Sequence, residues 1–568
     1  MRTGRGMNAP LPPIWTTGTT EAIRTGTWRA ALPRHMRAPS PCRQACPVSG
    51  DIAVWIGLAR AGDWRDAWET LARNNPFPAI AGRICHHPCE GACNRLGYDE
   101  PISICKLERA VGDQAIAEGW QHAPAAEQRR ERVAIVGGGP SGLSTAFQLR
   151  RMGYAVTLVE ARSELGGLMR HGIPSYRLAR TVLDAEIARI VAMGVEVRLG
   201  EELDTPAAWA ALRAAHDAIY IATGAQQQKR LPALDYGRPW VVDGAAYLSA
   251  ANGGRPPALG PRLVVIGGGS AALDAARSAR RAGHQVTILA LETRAQMPAQ
   301  REEVEEALEE GITLVDGAML VRAHEASAAV QLECTRVRFE PGARRGQFSA
   351  TPLAGGAFEI IADAVVTSIG QDPDLAALGH AYPADGALLG VNERQASGLD
   401  GVWAGGDVAS MSRFVTEAVA QGQRAAFDID RMLRARAGEV PAALVAGPGA
   451  PPARSIANDA PVPLAAIATF YHPKRARAAD RRLDAATRVA RGAEVQLGLE
   501  LDAALAETLR CFSCGSCIRC DNCVVVCPDL AVRRVEDGYE VLVDYSKGCG
   551  LCVRECPTGS MDMVEELR

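Results

Sequence analysis

Between residues 132 and 160 the chain reads RVAIVGGGPSGLSTAFQLRRMGYAVTLVE: an apolar run, a cluster of glycines, an amphipathic stretch and a second apolar run. A short unbroken apolar run bounded by turn residues predicts a strand buried on both faces, and the period of the middle stretch predicts a helix. RLVVIGGGSAALDAARSARRAGHQVTILALE repeats the plan, with Gly267 lying 130 residues after Gly137. Strand, glycine turn, helix and strand, twice over, predict two α/β units with parallel sheets. Ahead of them, residues 39–125 carry helical periodicity around cysteines, as in DIAVWIGLARAGDWRDAWETLARN, whereas residues 1–38 show no period and predict an irregular tail. Behind them, AGEVPAALVAGPGAPPARSIANDAPVP opens a stretch, 436–505, whose Pro, Ala and Gly predict a linker. Residues 506–568 form a small cysteine-rich module, in which LAVRRVEDGYEVLVDY predicts a hairpin around Asp537-Gly538.

At 568 residues the chain exceeds a single core, so three or more domains are expected. A net charge of −3 and 5% aromatics give neither a basic field nor a stacking surface for nucleic acid. No apolar run reaches the ~18–20 residues that span a bilayer, and MRTGRGMNAPLPPIW has no signal-peptide core, so a cytoplasmic protein is expected. Fifteen of the sixteen cysteines fall within 42–105 and 511–556, at spacings that favour metal over disulfides.

In the first unit, Gly137 allows the tight turn, Gly139 lets backbone approach a pyrophosphate, and Gly142 permits close helix–strand packing. The helix from Pro140 then offers its N–H groups to phosphate, and Glu160, 23 residues after Gly137, stands where an acid accepts ribose hydroxyls. The second unit has Gly267, Gly269 and Ala272 at the same places. GLDGVWAGGDVAS, with Asp407 after Gly405-Gly406, resembles the second FAD motif of flavoproteins with two dinucleotide-binding domains. That resemblance implies that Asp407 bonds the ribityl chain and that a helix starting near Thr416-Glu417-Ala418 aims its N-terminus at the flavin, favouring anionic reduced flavin. AIYIATGA and VVTSIGQDPD resemble the two crossings between domains in the same family, which implies FAD in the first unit and a nicotinamide in the second. VTILALETRAQMPA resembles a segment that reads VTIVYRRSREEMPA in NADP-using relatives, whose paired arginines fall here on Leu291 and Glu292. A carboxylate accepts from a 2′-hydroxyl and repels a 2′-phosphate, so NAD(H) is expected over NADP(H). The retained Arg294 speaks for NADP(H), and a solvated surface acid is the other reading of Glu292. The second unit holds Cys334 alone, without the dithiol that serves disulfide reduction in thioredoxin reductases.

PCRQACPVSGDIAVWIGLARAGD, AGRICHHPCEGACNR and PISICKLERAVGD resemble the N-terminal cluster domain of the glutamate synthase small subunit and of dihydropyrimidine dehydrogenase; with the dinucleotide units the likeness spans 39–435. It implies two [4Fe-4S] clusters. One would use Cys46, Cys85, Cys89 and Glu108; the other Cys42, Cys93 and an upstream C-x2-C pair, yet no cysteine precedes Cys42. LRCFSCGS, near the other end, has the context of the missing pair, so Cys511 and Cys514 are expected to complete that cluster. A single N-terminal cluster, with Cys511 and Cys514 free or on zinc, stays open at this point. CIRCDNCVVVCP fits the C-x2-C-x2-C-x3-C-P run of bacterial iron–sulfur proteins. The tail resembles a two-cluster ferredoxin, implying one cluster on Cys517, Cys520, Cys523 and Cys556 and a second on Cys527, Cys549 and Cys552. Ser546 stands where that second cluster's fourth cysteine belongs, which leaves it Ser-ligated, [3Fe-4S] or absent. About three to four clusters are expected in all. Cys105 and Cys334 fit no motif, and buried thiols are expected for both.

The fold class expected is α/β: a helical Fe–S domain (39–125), an FAD-binding domain (126–250 and 363–435), an inserted NAD(P)-binding domain (251–362), all Rossmann-like where nucleotide binds, and a ferredoxin-like α+β domain (506–568). The parts imply an electron-transfer subunit linking NAD(H), FAD and Fe–S clusters to a partner redox enzyme, such as a 2-oxoacid oxidoreductase or a dissimilatory sulfite reductase. No triad, nucleophile or zinc-hydrolase motif is visible, so catalytic side chains beyond the cofactors stay unknown. The alternatives are a glutamate synthase small subunit, which lacks such a tail, a stand-alone pyrimidine reductase, which needs a barrel domain, and a non-catalytic flavoprotein scaffold.

Overall fold

A computed structural model describes residues 29–566, apart from 327–328, 344–345, 379–381, 383, 440–455, 458, 491 and 537. The strand Arg132–Val136 sits at the centre of a five-stranded parallel sheet, in the order Val402–Ala404, Ala218–Ile221, Arg132–Val136, Ala155–Glu160, Glu196–Leu199. Val133 and Ile135 turn to one face, against the helices Pro140–Arg151 and Val415–Arg436; Ala134 and Val136 turn to the other, against Trp209 and Leu212. Apolar cover on both sides explains the unbroken run. A second parallel sheet runs Thr313–Val315, Gln285–Leu289, Arg262–Ile266, Ala364–Thr367, Val241–Asp243. The helix Ser270–Arg281 covers one face, and an antiparallel three-stranded sheet (Ala318–Ala326, Ala329–Pro341, Phe348–Ala362) covers the other.

Three expected boundaries move. Val241–Asp243 and Ala364–Thr367 pair in the second sheet, so that unit reaches beyond the expected 251–362 at both ends. The tail is not irregular over 31–37: Ala31–Arg37 is a strand, antiparallel to Met561–Glu565 in the cysteine-rich module, with His35 opposite Met561. Leu32 from this strand lies in one core with Val532, Tyr539 and Cys552. Of the stretch taken as a linker, 440–455, 458 and 491 lie outside the described residues, and from residue 459 on the chain packs across other domains. Arg477 pairs with Glu90, Lys106 with Asp480 (3.0 Å), Arg109 with Glu494 (3.0 Å), and Arg488 with Glu309 (2.5 Å). Val495 N donates to Tyr176 O (2.9 Å). The Pro- and Ala-rich composition hid this, because the anchors are single charged residues.

In the helical domain, Pro78–Ile84 crosses Ile104–Ala117 backbone to backbone. A Cβ on Gly82 would collide with Arg109 N, and one on Gly112 with Ala79 N, so glycine at both places sets the spacing. The module at 506–568 has the expected hairpin, Val532–Val535 antiparallel to Gly538–Val541, flanked by the short helices Asn522–Val525 and Leu551–Arg554. Among the described residues no helix is long and apolar enough to cross a membrane.

Candidate cofactor sites

At the first glycine turn Gly137 has φ +110° and a Cβ there would strike Ala222 O, while a Cβ on Gly142 would strike Gly137 O. Gly139 is the N-cap of Pro140–Arg151, whose first-turn N–H groups face the turn. Glu160 Oε2 accepts from Gly138 N (2.7 Å) and Oε1 from Arg162 N (2.9 Å), which fixes the carboxylate beside the turn. The second turn repeats this. Gly267 has φ +140°, Gly269 caps Ser270–Arg281, and Ala272 is buried at the helix start. Glu292 Oε2 stands 2.5 Å from where a Cβ on Gly268 would sit; Glu160 Oε2 stands 3.1 Å from the same point on Gly138. The two acids thus occupy matching places in the two units. Burial pushes the Glu292 carboxyl up from its ordinary range. Arg294 is exposed, with its backbone N on Asp316 Oδ2 (2.7 Å).

Asp407 follows Val402–Ala404, and burial pushes its carboxyl up, opposed by the Arg413 guanidinium. The next helix starts at Val415, with Thr416 buried in its first turn. The cysteine-bearing loop of the helical domain meets this N-terminus. Cys85 Sγ donates to Thr416 Oγ1 (3.7 Å), and His86 stacks on Phe414 with ring centroids 4.0 Å apart.

The cysteines fall into four groups. Cys46, Cys85, Cys89 and Glu108 share one environment: burial raises all three thiols, Cys85 to about 12, and Glu108 adds to each. Burial also pushes Glu108 up to about 7, against the hydrogen bond from Asn75 Nδ2 (2.7 Å). The second group is Cys42, Cys93, Cys511 and Cys514, which line a single cavity closed by Ile52, Ile56 and Phe512. Burial raises these thiols, Cys511 to about 11 and Cys514 to about 12; neighbouring sulfurs add to the shift of Cys42, Cys511 and Cys514, and Glu90 to that of Cys93. Asn94 Nδ2 donates to Cys514 Sγ (3.4 Å), and Ser513 N to Cys511 Sγ (3.4 Å).

Charged residues pin that far segment in place. Arg95, 1% exposed, donates to Arg510 O (2.8 Å), and Arg510, 2% exposed, donates to Glu507 Oε1 (2.7 Å) and Glu100 O (2.6 Å). Gly515 (φ +69°) closes the turn; a Cβ there would strike Ala38 O. The Arg-Cys-x2-Cys-Gly context therefore has a local cause: the arginine anchors the pair and the glycine lets the chain pass under Ala38.

The third group, Cys517, Cys520, Cys523 and Cys556, lines a cavity in the tail module. Burial, then its sulfur neighbours, raises Cys523 to about 12. In the fourth, burial, then Cys527 and Cys549, raises Cys552 to about 11. Ser546 is buried nearby in sequence, its Oγ accepting from Gly548 N (3.4 Å). Cys105 and Cys334 are buried; Cys105 Sγ donates to Gly82 O (3.4 Å), and burial, then Cys85 and Glu108 of the first group, push its thiol up. Among the described residues no three Cys, His, Asp or Glu side chains converge to hold a single metal ion. Four cysteines lining one cavity suit a thiolate-held iron–sulfur cluster. Sequence reasoning missed Asn75, Asn94, Arg95 and His35; Asn94 and Arg95 close the stretch AGRICHHPCEGACNR beside Cys93 without being singled out, and Asn75 and His35 lie in no motif.

The profile of the pyridine nucleotide-disulphide oxidoreductase family matches residues 112–205 and 131–422, and that of the dihydropyrimidine dehydrogenase domain II, 4Fe-4S cluster, matches 35–120. The chain is 33% identical over 514 residues to the NADP(+)-dependent formate dehydrogenase subunit beta of Moorella thermoacetica, covering 84% of this chain and 70% of that one. It is 30% identical over 398 residues to the NAD-dependent dihydropyrimidine dehydrogenase subunit PreT of Escherichia coli (69% and 91%). It is 29% identical over 430 residues to the glutamate synthase [NADPH] small chain of Azospirillum brasilense (71% and 88%). It spans about half, 51%, of an NADPH-Fe(3+) oxidoreductase subunit beta of Geobacter sulfurreducens, at 34% identity over 59% of this chain.

Proposed function

Because the chain belongs to the pyridine nucleotide-disulphide oxidoreductase family and is an NAD(P)H oxidoreductase with FAD and 4Fe-4S centres, we propose that it carries electrons between NAD(H) and a partner redox enzyme through a row of cluster sites ending in the tail module. When bound, FAD supplies the exchange between two-electron and one-electron chemistry, and the clusters supply one-electron relay. The residues supply the order. Cys85 abuts Thr416 at the start of the flavin helix. Cys46 and Cys42, in different groups, are one helical turn apart, with Cys46 N on Cys42 O (3.1 Å). Cys514 precedes Cys517, again in the next group, by three residues, at most ~11 Å of extended chain. The observation that carries the reading is the shared cavity of Cys42, Cys93, Cys511 and Cys514, which joins the two ends of the chain into one path.

Glu292, placed as Glu160 is, favours NAD(H). Among the relatives PreT is named NAD-dependent, while the formate dehydrogenase and glutamate synthase subunits are named for NADP(H). The partner is taken to be the catalytic subunit of a larger oxidoreductase, a 2-oxoacid oxidoreductase or a dissimilatory sulfite reductase being the two classes first in line. Sixteen cysteines without a disulfide favour a reducing compartment, the cytoplasm. The test is anaerobic reduction by NADH. In the unaltered protein the flavin bleaches and reduced-cluster signals follow; in Cys517→Ser with Cys520→Ser the flavin still bleaches but transfer to a ferredoxin-type acceptor is lost. Transfer that survives in this variant would remove the tail module from the path.

A further inference from the structure

His35 lies on the strand Ala31–Arg37, some 480 residues from the cysteines it faces. Its imidazole lines the same cavity as Cys517, Cys520, Cys523 and Cys556. Its Nε2 is buried and has no hydrogen-bond partner in the protein. A buried polar atom left unpaired is unfavourable, so such a nitrogen calls for a partner.

The other polar groups on that wall are satisfied. Tyr539 gives its hydroxyl to Asp521 Oδ1 (2.7 Å), Asn522 Nδ2 donates to Glu555 O (3.3 Å), and the Thr558 and Ser560 hydroxyls pair at 2.8 Å. The space for the ring is kept open. A Cβ on Gly538 would come within 2.7 Å of His35 Cε1, and Gly538 has φ +141° besides, so glycine is doubly required there. Tyr539 holds the ring from the side, edge-on at 6.0 Å.

We propose that His35 donates an Nε2–H hydrogen bond to the cluster held by Cys517, Cys520, Cys523 and Cys556, and so sets that cluster's potential from the opposite end of the chain. A neutral imidazole carries one N–H, and a sulfur acceptor at Nε2 selects the tautomer with the proton there. Four cysteines already fill the ligand set, so His35 is a positioning residue and not a ligand. Hydrogen bonds to cluster sulfur are among the determinants of reduction potential. A donor stabilises the more negative, reduced state, so His35 raises the potential.

The inference rests on the tail module holding a cluster, and the experiment separates the two. Iron content and the EPR midpoint potential are measured on the full-length protein, on His35→Phe and on His35→Gln. His35→Phe, which removes the donor, should keep its iron and move this one cluster's potential down, by about 59 mV for each tenfold change in its one-electron reduction equilibrium. His35→Gln, which keeps an N–H, should restore at least half of that shift. If His35→Phe loses iron, pulsed EPR on the unaltered protein with 15N-histidine decides: coupling of the reduced cluster to an imidazole nitrogen supports the bond, and its absence overturns it. Equal potentials in all three proteins overturn the inference and leave the electron path standing. An unaltered module without iron overturns both.

Discussion

Glu292→Arg combined with Leu291→Arg should turn the nicotinamide site from NADH towards NADPH. The magnitude follows from where the carboxylate stands. Its Oε2 lies against Gly268, at the place where Glu160 Oε2 lies against Gly138. A 2′-phosphate brought there carries about 1.5–2 negative charges. A single unit pair at ~4 Å and an effective dielectric of ~20 repels by about 4 kcal/mol. Glu292 is only partly buried, so water screens much of this; about 1.5–3 kcal/mol remains, roughly ten- to more than a hundredfold. The lost bond to a 2′-hydroxyl adds about 0.5–1.5 kcal/mol. The assay is kcat/KM for NADH and NADPH with a dye acceptor, on the unaltered protein and the double variant. The unaltered protein should prefer NADH at least tenfold, and the variant should cancel or reverse that. A tenfold preference of the unaltered protein for NADPH would refute the reasoning.

Two further predictions concern how the domains are held. Glu186 is fully buried and its two oxygens accept from Ala79 N and Ile80 N (3.0 Å each) at the start of Pro78–Ile84, so it caps a helix of the cluster domain from the FAD domain. Glu186→Gln turns an amide N–H towards one of those donors and should cost about 1–3 kcal/mol, visible as a lower denaturation midpoint; an unchanged midpoint would show the cap to be idle. His122, stacked on Trp68 at 4.8 Å, has its imidazole pushed down to about 3, first by burial and then by Arg189, Arg151 and Arg65. Its folded pKa lies below its unfolded value of 6.5, so the unfolded chain binds the extra proton, and stability is full above 6.5 and falls towards 3, by at most about 1.4 kcal/mol per pH unit. His122→Phe should flatten the loss of stability between pH 6.5 and 4; a slope equal to that of the unaltered protein would contradict the assignment.

Much of this architecture was legible in the sequence because its signals are local. The glycine turns, the apolar runs at Val133–Val136 and Leu263–Ile266, and the helix starts at Pro140 and Val415 each follow from a dozen contiguous residues. The grouping of Cys42 with Cys511 was visible only through the arginine and glycine beside the far pair, whose roles are now physical: Arg510 anchors and Gly515 turns. What stayed hidden is long-range. Nothing in ALPRHMR marks it as a partner of MDMVE, because a seven-residue strand with scattered basic side chains has no period of its own to detect. The anchors of residues 473–510, Arg477 on Glu90 and Glu494 between Arg83 and Arg109, are charge pairs across more than 380 residues, which no spacing rule encodes.

The central claim is that Cys511 and Cys514 complete a cluster with Cys42 and Cys93, joining the chain's two ends into one electron path. Iron analysis with EPR of the reduced protein, on the unaltered chain and on Cys511→Ala, tests it most directly. The account predicts about four fewer irons per chain in the variant, the loss of one cluster signal, and retention of those from the tail module. Unchanged iron, or the loss of a tail-module signal with the others intact, would contradict it.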